Sequence, residues 1–270
     1  MKLTVLVDNN TNIDQYYHGE PGLSFYIEVD NARILFDLGY SNIFKKNADK
    51  MDIDLSNLTH IVLSHGHDDH TRGLCYLPTN HLDRTIKLVA HPDCLLPKYM
   101  QDDFIGSPCG EEWVRQFTDY IPTIKPYKIA RNLYFMGQIP RVTDFEAQDP
   151  IGYKIKNEKK IKDYLIDDSA LLYRTKMGIF IITGCSHSGI CNIIEHAKKL
   201  CGDERIIGVI GGFHLMGGKN DEKTEKTVDY FKANNVKKVY PCHCVSLFAQ
   251  ARFVQEFDVE QVGVGTTIII

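Results

Sequence analysis

Ser64-His65-Gly66-His67-Asp68-Asp69-His70 sets three imidazoles and a carboxylate in an H-x-H-x-D-H pattern. The run before it, Leu58-Thr59-His60-Ile61-Val62-Leu63, is mostly apolar and β-branched, as a buried strand is. Gly66 and the acidic pair then break the strand. The pattern therefore falls on a loop at a strand's C-terminal end, where open α/β sheets place their chemistry. Imidazole nitrogens with a carboxylate oxygen suit zinc, iron or manganese better than calcium or magnesium. The competing reading is a polar turn whose histidines are satisfied by neighbours; three His and one Asp at this spacing favour a metal.

The rest of the composition is that of an ordinary globular chain. It has 270 residues, 43% hydrophobic and 24% charged, with a formal net charge of -4. That length suits one large domain or two small ones and can bury a substantial core. The pI of 6.3 argues against an electrostatic nucleic-acid binder. No stretch approaches the ~18 apolar residues of a membrane span, and the first residues read as a strand rather than a signal peptide. The cytoplasm is the expected location. The eight cysteines form no regular framework, so free thiols are expected.

Strand signals dominate the first part. Leu3 to Val7, Leu23 to Val29 and Arg33 to Asp37 read as strands, the last two joined at Asp30-Asn31 as a hairpin. Asn42 to Met51 reads as a helix, Thr71 to Leu77 as the start of another, and Ile86 to His91 as a strand. Residues 93 to 130 lack periodicity and carry four prolines; they read as an insertion or lid. Asn132 to Met136 is a strand, and Asn157 to Asp163 a solvated hairpin tip. The second half alternates. Strands at Ser169 to Thr175 and Gly178 to Thr183 lead to an amphipathic helix, Gly189 to Leu200, with Ile190, Ile193, Ile194, Ala197 and Leu200 on one face. Arg205 to Ile210, Lys238 to Tyr240 and Gly263 to Ile270 are further strands, with a helix at Thr224 to Asn234.

Three later loops repeat the strand-end placement. In Thr183-Gly184-Cys185-Ser186-His187-Ser188-Gly189, His187 can reach a metal, Ser188 reads as the helix N-cap, and Cys185 is either a ligand or a small buried thiol. In Gly211-Gly212-Phe213-His214, His214 is a ligand, a substrate contact or proton donor, or structural. In Pro241-Cys242-His243-Cys244, His243 is the better ligand, because a four-sulfur site lacks its second cysteine pair. Asp37 ends a strand near the first loop and can hold the ring N–H of a metal-bound His. Asp8 and Asn9 either line the pocket or serve a turn. His18, His60, His81, His91 and His196 look ordinary.

Phe36-Asp37-Leu38-Gly39, the H-x-H-x-D-H loop, Thr183-Gly184-Cys185 and the late His243, taken together, resemble the metallo-β-lactamase superfamily. The later loops are similar to its subfamily of metal-dependent hydrolases related to the archaeal dihydropterin–ribofuranosylaminobenzene phosphate synthase. The resemblance implies an α/β fold of the αββα type: two mixed β-sheets face to face, flanked by helices, as a single domain over residues 1–270 with the lid at about 93–130. It also shows departures. Most members carry a His before the Thr-Gly strand; here Gly137 to Pro150 offers only Asp144 and Glu146, and Cys185 stands at the usual bridging Asp.

The implied centre is dinuclear. His65, His67 and His187 would hold one ion and Asp69, His70 and His243 the other, with Cys185 a further candidate. Two zinc ions per chain are expected, iron or manganese being the alternatives. Asp69 would also orient the nucleophile, and His214 is the second catalytic candidate. The expected activity is hydrolysis of a small ester, lactone or phosphoester. The alternatives are transfer with a diphosphate leaving group and a non-catalytic metal-binding sensor. A small-molecule substrate is the expected partner, with neither nucleic acid nor membrane.

Overall fold

In the computed structural model, residues 1–77, 86–147 and 149–270 are described; His81 lies outside them. Strands β1 (Lys2–Val7), β2 (Ser24–Val29) and β3 (Ala32–Phe36) pair antiparallel. The β2–β3 turn falls at the predicted step, where Asp30 takes the left-handed conformation at φ 50°. Helix α1 (Ile43–Lys50) crosses over to β4 (His60–Val62), which lies parallel to β3. The metal-motif loop follows, with the one-turn helix α2 (Asp68–Thr71) and a 3-10 turn, Arg72–Tyr76. Strand β5 (Lys87–Ala90) continues the parallel run.

The aperiodic region resolves into short elements. They are β6 (Lys98–Met100), β7 (Asp103–Phe104), α3 (Glu111–Phe117), β8 (Asp119–Pro122) and β9 (Tyr127–Lys128). β8 is the edge strand of the first sheet, parallel to β5. β6 and β7 pair with a lysine-rich hairpin, β11 (Tyr153–Lys156) and β12 (Lys159–Lys162), in a small four-stranded sheet. Between them β9 and β10 (Leu133–Phe135) pair antiparallel and open the second large sheet. Elements this short carry too few residues for a period to show, which is why the sequence reads as a lid there.

The second half runs β13 (Ala170–Arg174), β14 (Ile179–Thr183), α4 (Ile190–Cys201), β15 (Ile206–Gly211), α5 (Glu222–Ala233), β16 (Lys238–Pro241), α6 (Leu247–Val254), β17 (Asp258–Val259) and β18 (Thr267–Ile269). The first sheet has the order β18-β1-β2-β3-β4-β5-β8 and the second β17-β16-β15-β14-β13-β10-β9. Both are mixed.

Three apolar cores make four layers. Phe25, Ile27 and Phe36 of the first sheet meet Phe135, Phe180 and Ile182 of the second. Behind the first sheet, Leu35, Ile61 and Leu88 pack on Phe44 and Ala48 of α1 and Val114 of α3. Behind the second, Ile181 and Val209 pack on Ile193 and Ile194 of α4, Phe231 of α5 and Phe253 of α6. The architecture is αββα, as expected.

Two details differ from expectation. Leu200 is exposed, while Ile190, Ile193, Ile194 and Ala197 are buried; the buried stripe of α4 ends a turn early. The N-cap of α4 is Gly189, not Ser188. The capping function falls instead to Glu146, whose carboxylate accepts the N–H groups of Cys191 and Asn192 at 3.0 Å each. Among the described residues, no helix is long and apolar enough to cross a membrane.

Candidate metal centre

Six strand ends converge. β4 delivers His65, His67, Asp69 and His70; β14 delivers Cys185 and His187; β15 delivers His214; β16 delivers His243; β3 and β1 deliver Asp37 and Asp8-Asn9. Four residues at these strand ends carry backbone strain. Asp37, Ser186, His214 and His243 all have φ between 50° and 57°, a region L-residues with a β-carbon disfavour. Each left-handed residue turns the chain sharply after its strand. The glycines do the complementary work of close approach. A β-carbon on Gly184 would collide with Ser64 Oγ, and one on Gly66 with the Cys94 carbonyl oxygen.

Asp37 organises the imidazoles. Its fully buried carboxylate accepts Ser64 N–H at 2.7 Å and Ser64 Oγ at 2.6 Å, and lies 2.7 Å from His70 Nδ1. Ser64 Oγ is in turn 2.9 Å from His65 Nδ1. With Nδ1 donating in both rings, the Nε2 atoms of His65 and His70 point at the centre. Asn9 does the same for His243: its Oδ1 lies 2.9 Å from Nδ1, while Asp8 Oδ1 accepts the His243 N–H at 2.9 Å. Asp8 and Asn9 thus serve the pocket.

The far ends of these rings crowd together. His70 Nε2 lies 3.1 Å from Cys185 Sγ and 3.2 Å from His243 Nε2, and His243 Nε2 is 3.1 Å from the same sulfur. Asp69 Oδ2 is 3.3 Å from His243 Nε2 and 3.7 Å from His70 Nε2. The rings of His65 and His67 stand 4.8 Å apart, and each lies 4.7 Å from His187. The His214 ring lies 4.4 Å from that of His187, tilted by 55°. Three sets of side chains bring their ligand atoms within 4.8 Å of one another: Asp69, His70, Cys185 and His243; His65, Cys185 and His187; His65, His67 and Asp69. His65, Cys185 and Asp69 each belong to two sets, and Cys185 and Asp69 each join the His70–His243 set to one that contains His65.

The donor set fits divalent cations. His65 Nε2, His67 Nε2 and both nitrogens of His187 are buried with no hydrogen-bond partner, a costly arrangement unless the lone pairs have another use. Burial, reinforced by neighbouring imidazoles, holds His65 and His187 well below the ordinary histidine range; burial also lowers His67 to about 4. All three rings are neutral at neutral pH. Burial disfavours charge on His70 too, but Asp69 and Asp37 outweigh it and push the ring up to about 9. Its Nε2 therefore holds a proton that a cation would displace. Burial also raises the Asp69 carboxyl, yet His70 and His243 prevail and hold it far below the usual range, ionised.

The sequence profile of the metallo-β-lactamase superfamily matches residues 19–243. The chain belongs to this superfamily. An uncharacterized protein of Methanocaldococcus jannaschii is 37% identical over 254 residues, 94% of each chain. A 7,8-dihydropterin-6-methyl-4-(β-D-ribofuranosyl)-aminobenzene-5'-phosphate synthase of the same organism is 29% identical over 99% of this chain and 96% of its own. The crystal structure of a metal-dependent hydrolase of the β-lactamase superfamily superposes with a TM-score of 0.84 at 31% identity, covering 100% of this chain and 99% of the other.

Against the metallo-β-lactamase pattern, the departures now have positions. Glu146 caps α4 and Asp144 is exposed, so neither joins the clustered ligand sets; His187 is the imidazole beside His65 and His67. Cys242 is buried among the apolar residues between the sheets, whereas Cys244 lines the pocket.

Sequence reasoning missed one contributor. The Gly66 N–H donates to buried Asp167 at 2.9 Å, and Asp167 pairs with buried Lys98 at 2.9 Å. Lys98 also binds Asp163 at 2.7 Å, and Lys154 joins Asp163 to Asp93. No motif marks these residues; only their burial does. The histidine cluster opens into a cavity of about 410 Å³ whose wall includes Ile151, Met216 and Val245. A second cavity of about 430 Å³, lined by Tyr40, Asp68 and Ile105, shares Pro21, His67 and Asp69 with it.

Proposed function

We propose that this chain is a metal-dependent hydrolase with two zinc ions, acting on a small ester, lactone or phosphoester; iron or manganese would fit the same donors. The observation that carries this reading is the set of buried, neutral imidazole nitrogens without protein partners on His65, His67 and His187, the last two lining one cavity. His65, His67 and His187 would hold one ion, and Asp69, His70 and His243 the other, with Cys185 a further candidate ligand. Bound there, the pair of cations supplies a water deprotonated near neutral pH and offsets charge developing on the electrophile.

The chain's own groups do the rest. Asp37 and Asn9 fix the tautomers of three ligands. Asp69, ionised and placed between the ligand sets, orients the attacking water. His214 lines the same cavity with Nδ1 free of protein partners, and passes a proton to the leaving group. The apolar wall of Ile151, Met216 and Val245 receives the body of a small substrate.

A second reading is transfer to an acceptor other than water, with a diphosphate leaving group. It is supported by the similarity to the dihydropterin-linked synthase along 99% of this chain and by the second cavity adjoining the first.

Elemental analysis of protein purified without chelator comes first, with about two metals per chain expected. A screen of esters, lactones, phosphoesters and diphosphates in isotopically labelled water follows. Label in the product supports hydrolysis, and a joined acceptor supports transfer. Metal at full occupancy with no turnover of any class leaves a binding protein.

A further inference from the structure

Away from the metal centre, two thiols face each other. Cys75 Sγ lies 3.5 Å from Cys109 Sγ, across 34 residues of sequence. Cys75 is exposed on the turn Arg72–Tyr76, and Cys109 is buried beside it, 4% exposed, just before α3. Neither sulfur belongs to any of the metal-ligand sets found among the described residues. The separation is at sulfur–sulfur contact, and modest side-chain movement reaches the roughly 2.05 Å of a disulfide.

We propose that Cys75 and Cys109 are a reactive dithiol that closes to an intramolecular disulfide when it meets a low-molecular-weight disulfide. Cys75, which solvent reaches, attacks one sulfur of the reagent. A mixed disulfide forms on Cys75, one thiol is released, and the Cys75 proton passes to solvent or to that thiol. Cys109 then attacks Cys75 Sγ, loses its own proton and expels the second thiol. Two protein thiols are oxidised and one external disulfide is reduced to two thiols.

The location gives the bond a structural effect. The turn carrying Cys75 continues directly from the helix that bears Asp69 and His70. Cys109 follows the segment whose Ile105 carbonyl accepts the Asp68 N–H at 2.9 Å and whose Gly106 bridges to His67. The disulfide therefore ties together the two strands of chain that flank the metal loop, without using a residue of the loop.

The test treats purified protein, carrying its own metal, with oxidised glutathione, then alkylates and maps peptides. The expected result is a Cys75–Cys109 cross-linked peptide, reversed by dithiothreitol, and a rise in Tm of roughly 5–10 °C. Cys109→Ser should stop at glutathione held on Cys75, and Cys75→Ser should leave Cys109 unmodified. If both cysteines alkylate freely after treatment, or Cys109 is found coupled to a different cysteine, the proposal is overturned. Because the readout is thiol chemistry, it stands or falls independently of the proposed reaction.

Discussion

Asp167 reaches across 101 residues of sequence to accept the Gly66 N–H at 2.9 Å, in the middle of the H-x-H-x-D-H loop. Its other oxygen is neutralised by Lys98. A loop bearing four candidate ligands is thus anchored at its backbone by a buried ion pair from the small four-stranded sheet and its neighbouring turn. Lys98→Met would strand the carboxylates of Asp163 and Asp167 in a buried setting. The expected cost is about 3–5 kcal/mol, read from the urea midpoint at constant m. A change under 1 kcal/mol would show the pair to be dispensable.

The Asp37 carboxylate orients His70 directly and His65 through Ser64. Asp37→Asn keeps the shape but puts an amide where those donors need an acceptor. Metal affinity should fall by about 10–100-fold, measured by chelator competition, with little change in far-UV circular dichroism. Unchanged affinity would mean that the tautomers are set elsewhere.

His187 and Cys185 separate by their surroundings. Both His187 nitrogens lack protein partners, whereas Cys185 Sγ contacts His70 and His243. His187→Ala should lose roughly one ion per chain and abolish turnover, and Cys185→Ser should have the smaller effect on metal content. His243→Ala should empty the Asp69–His70 side before the other. Metal analysis of the three variants side by side decides among these roles.

His60, at the start of β4, is 8% exposed, and burial with a lesser push from Lys87 lowers it to about 4. Its folded pKa lies below the 6.5 of the unfolded chain, so the unfolded state takes up the proton first. The stability it contributes is full above pH 6.5 and is lost as pH falls toward about 4. The loss is on the order of 3 kcal/mol. Unfolding curves of His60→Gln should be flatter than wild type across that window. Parallel curves would assign the pH dependence to other groups.

Much of this arrangement was legible in the residues. Strand runs ending in Gly, Asp or His mark where the chain turns, and β4, β14, β15 and β16 all end at the same edge, so their histidines meet. Asp37 was legible for the same reason. What sequence could not show depended on distance in space. Lys98, Lys154, Asp163 and Asp167 read as ordinary surface charges until burial pairs them. Glu146 reads only as a carboxylate in the region that lacks the histidine until α4 is seen to need a cap. Helix α6 was overlooked although Ser246, whose Oγ accepts the Ala249 N–H, caps it; at eight residues its apolar period is brief. The left-handed conformations of Ser186, His214 and His243 have no signature in residue type, since Gly and Asn are the usual occupants.

Each proposed ion position draws ligands from both sheets: His65 and His67 face His187, and Asp69 and His70 face His243. The sandwich therefore closes by two unlike means. Along most of its length Phe25, Phe36, Phe135 and Phe180 hold the sheets as a hydrophobic laminate. At the pocket edge the sheets meet through imidazoles that would share a cation rather than through packing. That edge behaves as a clasp. Chelation should let the loops after β4, β14 and β16 open and exchange their amide hydrogens faster, while the amides of β2 and β13 keep their protection. Metal occupancy would then set the local rigidity of the cleft as well as its chemistry.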